Sequence, residues 1–320
     1  MKELIIGKND AGQRLDRWLG KAVPLLPAPL AQKYIRLKRV KVNGKGSQRD
    51  YRLRPGDLLQ LYINDEFFET PAEDNAFLSV FKPQLDIVYE DDHLIICSKR
   101  PGLLCHPDEH EYVSTLITHI QAYLYQKREW NPRWENSFTP ALCNRIDRNT
   151  GGLVIAAKTA EALRIMNEKI KAREISKYYL AAVVGRMSPP DGELRGFLLK
   201  DEAKKLVQVY HKPMPGGKSA ATRYRTLKVK GGLSLVECEL LTGRTHQIRA
   251  QFADAGHPLL GDGKYGRRTD NQKANRKGQA LWSYKLSFDF PTDAGCLEYL
   301  KGKILVTSLK DIDFVNTYFD

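Results

Sequence analysis

Two adjacent glycines, Gly151 and Gly152, separate a charged turn from a five-residue apolar run, Leu153-Val154-Ile155-Ala156-Ala157. No other stretch constrains the fold as tightly. The run reads as an apolar strand, and the glycine pair permits a sharp turn or a close backbone approach without a Cβ penalty. Ahead of it stands Asn144-Arg145-Ile146-Asp147-Arg148-Asn149-Thr150, a single carboxylate between two arginines. Nearby positive charge favours the ionised form of a carboxylate, which suits an anion and not a general acid. On local chemistry Asp147 is equally well a loop cap bonded to nearby amides. The rest of the chain has to decide.

Its 320 residues suffice for roughly two domains and at least one sizeable core. No stretch approaches the ~20 apolar residues of a membrane span, and Met1–Gly7 lacks the apolar core and cleavage site of a secretory signal. The five cysteines, Cys97, Cys105, Cys143, Cys238 and Cys296, are odd in number and form no Cys-x-x-Cys pair. Neither a zinc site nor a disulfide framework is indicated. The expectation is a cytoplasmic, monomeric protein with no membrane association, no metal and no cofactor.

Charge is distributed unevenly. The net charge is +13, and residues 1–65 hold 14 Lys and Arg against six Asp and Glu. Residues 65–92 carry nine acids against Lys82 alone. A basic module followed by an acidic connector predicts a polyanion-binding domain on a tether. Nucleic acid is the expected partner, since phosphate neutralisation by Lys and Arg supplies most sequence-independent affinity.

Within the basic module, Leu15, Trp18 and Leu19, then Leu30, Tyr34, Ile35 and Leu37, fall at helical spacing. Pro24, Pro27 and Pro29 interrupt the first helix, and the second starts near Pro29, where a first-turn proline is tolerated. Val40–Lys45 reads as a strand entering an Asn-Gly hairpin turn, and Leu53–Ile63 as a Pro-Gly turn followed by another strand. This unit resembles the small RNA-binding domain named after ribosomal protein four of the small subunit, through Arg14–Leu19, Tyr34–Arg36, Lys38–Gly44 and Pro55–Asp57. The resemblance implies RNA contacts from Arg36, Lys38, Arg39 and Lys41.

Residues 66–83 lack periodicity and read as a linker. Beyond them, Leu85–Cys97 reads as strand, acidic turn and strand; Val113–Tyr125 and Lys158–Lys171 are amphipathic helices. From Tyr178 onward short β-branched strands dominate. The predicted organisation is a small α/β domain over 1-65, a linker over 66-83 and a large α+β domain over 84-320 with a mixed, mostly antiparallel sheet.

Two further clusters carry chemistry. In Thr242-Gly243-Arg244-Thr245-His246-Gln247-Ile248-Arg249 three basic side chains fall within six residues beside a glycine, where they could converge on one anion, phosphate or carboxylate. The segment Gly256–Gly266 follows it. In Ile175–Gly185, strand alternation places Lys177 and Tyr179 on one face and Tyr178 on the other. One tyrosine then belongs to the core, and the other is free to stack on a base.

Taken in order, these clusters closely resemble the RluA-type pseudouridine synthase family. Asn144–Gly152 is similar to its catalytic block, Arg-Leu-Asp-x-x-Thr-Ser-Gly, and implies Asp147 as the catalytic aspartate. Lys177–Gly185 looks like its tyrosine block, which makes Tyr179 the active-site tyrosine. Thr242–Arg249 looks like its third block, with Arg249 the ion-pair partner of the aspartate. Lys99–Pro107 resembles its early Lys-Pro-x-Gly-Leu-x-x-His-Pro stretch. Three positions depart from the catalytic block: Asn144 for His, Ile146 for Leu and Gly151 for Ser. None removes the carboxylate, the arginines or the Thr-Gly turn.

The resemblance implies the pseudouridine synthase fold and isomerisation of uridine to pseudouridine in structured RNA, with ribosomal RNA favoured over transfer RNA. Asp147 would attack the sugar or take a sugar proton. Arg145, Arg148, Arg244 and His246 are the expected RNA contacts around it. The competing expectation is a catalytically inactive RNA-binding or ribosome-assembly protein.

Overall fold

A computed structural model describes residues 1–68, 72–201, 203 and 205–320. The two helices predicted at the N-terminus form as α1 (Leu15–Ala22) and α2 (Ala28–Arg36), with Pro24 and Pro27 between them and Pro29 in the first turn of α2. Leu15, Trp18, Leu19, Tyr34 and Ile35 are buried against a four-stranded antiparallel sheet. Its strands are β1 (Lys2–Ile5), β2 (Val40–Val42), β3 (Lys45–Gly46) and β4 (Leu58–Leu61), in the order β1-β4-β2-β3. The β2–β3 turn places Asn43 and Gly44 at φ of 51° and 77°. Two positive φ values are what a two-residue hairpin needs, hence the Asn-Gly pair.

The second sheet has eleven strands among the described residues. These are β5 (Ile87–Glu90), β6 (Leu94–Lys99), β7 (Ala141–Leu142), β8 (Gly151–Ala157), β9 (Ile175–Val184), β10 (Asp191–Asp201), β11 (Leu206–Tyr210), β12 (Lys218–Lys230), β13 (Leu233–Leu240), β14 (Leu281–Phe288) and β15 (Ile304–Val306). The order is β11-β10-β12-β13-β9-β14-β8-β6-β5, with β15 on β14 and β7 on β8. Among the described residues only β8 and β14 pair in parallel within it. Every residue of β8 is buried, because both faces are covered. Helices α3 (Leu116–Gln126) and α5 (Gln247–Asp254) pack with Val154 and Ala156, and α4 (Ala160–Ala172) packs with Leu153, Ile155 and Ala157. No helix among the described residues is long and apolar enough to cross a membrane.

Two expectations change. The 66–83 stretch, read as a linker, contains short helical turns at Asp65–Phe68 and Ala72–Ser79; its residues 69–71 lie outside the described ones. Phe77 and Val80 are buried in the core of the large domain, Phe77 edge-on to Tyr125 and Trp130 at 5.2 and 5.1 Å. Acidic neighbours hid these two anchors. Nor does the N-terminal unit hang on a tether. Asp10, 1% exposed, accepts hydrogen bonds from Trp18 Nε1 at 2.9 Å in its own unit. Across the interface it accepts from Ser137 Oγ at 2.6 Å and Asn136 Nδ2 at 2.8 Å. Asn9 donates to Glu135 and accepts from the Ala160 amide, while Arg164 donates to the Ala11 carbonyl.

Candidate active site

The three clusters meet because β14 lies between β8 and β9. Asp147 sits on the loop entering β8, Tyr179 on β9, and Arg249 in the first turn of α5, after β13. All three line one cavity of about 290 Å³, together with Asn144, Arg145, Lys177, Arg244 and His246.

The Asp147 loop is held from several sides. The buried Lys99 ammonium donates to the carbonyls of Arg148 at 2.9 Å, Leu103 at 2.8 Å and Arg100 at 3.1 Å. The Gly102 amide also donates to the Arg148 carbonyl, and Arg148 Nε donates back to the Gly102 carbonyl. Within the loop, Thr150 N–H donates to the Asp147 carbonyl, and Gln279 Nε2 donates to Thr150 Oγ1. Asn144, which departs from the family pattern, accepts from the Ile155 amide at 2.8 Å through its side-chain oxygen. Both glycines are required by packing. A Cβ on Gly152 (φ 108°) would collide with the Ser283 backbone, and one on Gly151 with the Trp282 ring.

Arg249, 5% exposed, donates Nη1 to Asp147 Oδ2 at 2.7 Å. Its Nε and Nη2 close on Asp262, which is fully buried, at 2.7 and 2.9 Å. Two parallel N–H···O bonds fix the plane of a guanidinium as well as its place. Burial alone would lower Arg249, yet the two carboxylates hold it above its ordinary value; Asp262, raised by burial, is pulled below its usual range by Arg249. Both stay charged.

His246 starts α5 in the left-handed conformation, φ 53°. Its Nε2 lies 3.8 Å from Asp147 Oδ2 and its Nδ1 2.9 Å from the Tyr265 hydroxyl, which accepts from the Val207 amide. Burial lowers the imidazole below its ordinary value, against the opposing charge of Asp147. Tyr265 also stacks over Arg249, 5.2 Å from ring centre to guanidinium. Tyr179 is buried and its hydroxyl is pushed up, chiefly by burial. It stays a neutral donor.

Two of the third cluster's three cations thus meet at one carboxylate: Arg249 and His246 turn to Asp147, while Arg244 is exposed with Nε on the Ser219 carbonyl at 3.1 Å. The flanking Arg145 and Arg148 are likewise exposed. The ion-pair partner of Asp147 is thus the distant arginine, not its neighbours. In the N-terminal unit, Arg36 and Lys38 line a groove with Lys33 and Arg49, two residues the sequence reading passed over. Arg39 lies over the Tyr34 ring and Lys41 over the Tyr62 ring, at 5.1 and 5.2 Å. Asp262, Tyr265 and Lys99 also went without a role. The only signal for Asp262 was a lone acid in the glycine-rich turn Gly261–Gly263, downstream of an arginine surplus.

A family model described as RNA pseudouridylate synthase matches residues 93–254. An uncharacterized RNA pseudouridine synthase of Mycoplasma genitalium is 31% identical over 290 residues, covering 89% of this chain and 88% of the relative. Ribosomal large subunit pseudouridine synthase C of Vibrio cholerae is 32% identical over 289 residues, covering 89% and 87%. Among solved structures, human RNA pseudouridylate synthase domain containing 4 is similar at a TM-score of 0.57 and 19% identity, covering 76% of this chain and 97% of that one. That likeness is one of fold.

Proposed function

The chain belongs to the RNA pseudouridylate synthase family, of the RluA type, and on that premise we propose that Asp147 is the catalytic carboxylate for converting uridine to pseudouridine in ribosomal RNA. One observation carries this reading. Arg249 occupies Asp147 Oδ2, while Oδ1 has no hydrogen-bond partner among the described residues, and Asp147 lines the cavity. A carboxylate paired to an arginine through one oxygen, with the other free, suits attack on the sugar or removal of a sugar proton. Tyr179, held neutral at the cavity wall, packs against the uracil. Entry requires the uridine to leave its stack, at a cost of a few kcal/mol, and Arg145 at the rim meets the flipped nucleotide's surroundings.

The preference for ribosomal RNA draws support from the name of the Vibrio cholerae relative and from the basic N-terminal unit. In this reading residues 1-65 act as the RNA-binding module, and the chain works as a cytoplasmic monomer. The test is Asp147→Asn. It should abolish pseudouridine formation while keeping RNA affinity within about twofold of the parent, and mapping pseudouridines in total RNA with and without the protein should show the differences in ribosomal RNA. Parent-rate turnover by Asp147→Asn would refute the assignment, and differences confined to transfer RNA would refute the substrate.

A further inference from the structure

We propose that residues 264–278, a segment whose neck meets the Asp147 loop, form a preorganised cationic arm that grips the phosphates of the RNA strand beside the target uridine. The segment carries Lys264, Arg267, Arg268, Lys273, Arg276 and Lys277 against Asp270 alone. Composition could not distinguish a contact from a solvated insertion. Its anchoring can.

The arm is fixed where it meets the site. Asn271, in the short helix α6 (Arg268–Lys273), accepts from the Gly261 amide at 2.8 Å and donates to the Asp262 carbonyl at 3.1 Å. The arm thus grows from the residue that holds Arg249. Its far end is tied to α7 (Asp313–Phe319): Arg276 makes two hydrogen bonds to Asp313, at 2.8 and 3.3 Å, and Tyr318 donates to the Ala274 carbonyl at 3.0 Å. The neck closes at Gly261 and Gly278, both at positive φ, where a Cβ on Gly261 would collide with the Gly278 carbonyl. A Cβ on Gly278 would touch Asn149 at 3.8 Å, two residues from Asp147.

These anchors engage Arg276, and Lys264 donates its ammonium to the Lys205 carbonyl at 3.0 Å, which leaves four of the six cations over. Arg267, Arg268, Lys273 and Lys277 are exposed and make no ion pair or side-chain hydrogen bond among the described residues. With the backbone already held, a ligand has only these four side chains left to order. The ligand class follows from the neighbouring chemistry: the partner is RNA, and fixed lysines and arginines neutralise its phosphates. The position at the rim rests on Asp147 being the reacting group; the affinity for RNA does not.

The test separates the two. In the Asp147→Asn protein, binding of a fluorescein-labelled stem-loop RNA with uridines in its loop is titrated at several salt concentrations. Replacing Arg267, Arg268, Lys273 and Lys277 by Ser should weaken binding at least tenfold at low salt and flatten the slope of log affinity against log salt by about 3, at ~0.7 per phosphate lost. Arg267→Lys with Arg268→Lys keeps the charge and should keep the slope. An unchanged slope and affinity in the four-Ser variant would overturn the proposal. So would an equal loss in the charge-keeping pair, because damage to the helix would then account for both.

Discussion

Arg249 reaches Asp147 with a single guanidinium nitrogen, Nη1 at 2.7 Å, because the other two donors facing inward are held by Asp262. The orientation of the pair is therefore decided by a residue that does not touch the cavity. Asp262→Asn replaces a charged double acceptor by a group with one acceptor, and leaves Arg249 buried beside a single carboxylate. Breaking a buried pair in this way costs ~3–5 kcal/mol of stability, and a displaced Asp147 should lower kcat by about 100-fold. Arg249→Lys should fare no better, since a lysine cannot span two carboxylates in one plane. Single-turnover pseudouridine formation alongside thermal unfolding measures both; parent-like kcat in Asp262→Asn would show that Asp147 needs no such support.

Lys99 makes a second prediction, in pH. Burial pushes its ammonium down to about 8 from the ordinary 10.5. Below pH 8 it is charged in both folded and unfolded chains, so the burial cost is fully present. Between about 8 and 10.5 the unfolded chain keeps a proton that the folded one releases, so this group's contribution to stability rises with pH. Catalysis should move the other way. Losing a proton removes a donor from the clasp on the Arg100, Leu103 and Arg148 carbonyls, and the loop bearing Asp147 loosens. Activity should decline above about pH 8, and Lys99→Met should lose that alkaline limb while turning over more slowly throughout. Identical pH profiles in parent and variant would sink the idea.

Much of this architecture was legible because it is local. The Asn43-Gly44 turn, the prolines around α2, the strand after Gly152 and the 177/179 face all follow from spacing and backbone preference. Asp147 and Arg249 stood out through dense arginines and glycines, and Tyr179 through strand alternation. What stayed hidden depends on partners far apart in the chain. Asp262 meets Arg249 across 13 residues, and Lys99 meets Arg148 across 49; beyond the lone acid between Gly261 and Gly263, nothing local points to either pairing. Phe77 and Val80 lay in an acidic stretch whose charge masked two core anchors. The arginines beside Asp147 misled in the opposite sense: adjacency suggested partners, but the backbone points Arg145 and Arg148 outward.

One departure from the family pattern has a packing cause that can be tested. Gly151 stands where the family block carries Ser, and any Cβ there would collide with the Trp282 ring on the adjoining strand β14. The two residues share one space. Gly151→Ser should therefore destabilise the protein by ~1–3 kcal/mol through overpacking, and Trp282→Ala by ~3–5 kcal/mol through the lost ring. Combined, they should cost clearly less than the sum, with a coupling of at least ~1 kcal/mol. A double-mutant cycle from chemical denaturation gives the number directly. Additive effects would mean the space is not shared.

The N-terminal unit offers a prediction about dynamics. Asp10 is the buried hub of its docking, holding Trp18 on one side and Asn136 and Ser137 on the other. Asp10→Ala leaves Trp18 Nε1 and Ser137 Oγ without their acceptor, at ~1–3 kcal/mol for each that stays dry, while Asn136 Nδ2 keeps the Ile5 carbonyl. The core of the large domain, which includes Phe77 and Val80 but nothing from residues 1–65, is not touched by the change. Undocking should therefore precede global unfolding. Limited proteolysis should cut Asp10→Ala between residues 64 and 76 at least tenfold faster than the parent, releasing a large fragment that retains its own cooperative melt. RNA affinity should fall as well, because the groove lined by Lys33, Arg36, Lys38 and Arg49 would no longer sit at a fixed distance from Asp147 and the two RNA contacts would lose their effective concentration. Parent-like cleavage in this segment would show that other contacts, such as Asn9 to Glu135, Gln13 to Ser137, Asn136 to Ile5 and Arg164 to Ala11, hold the unit without Asp10.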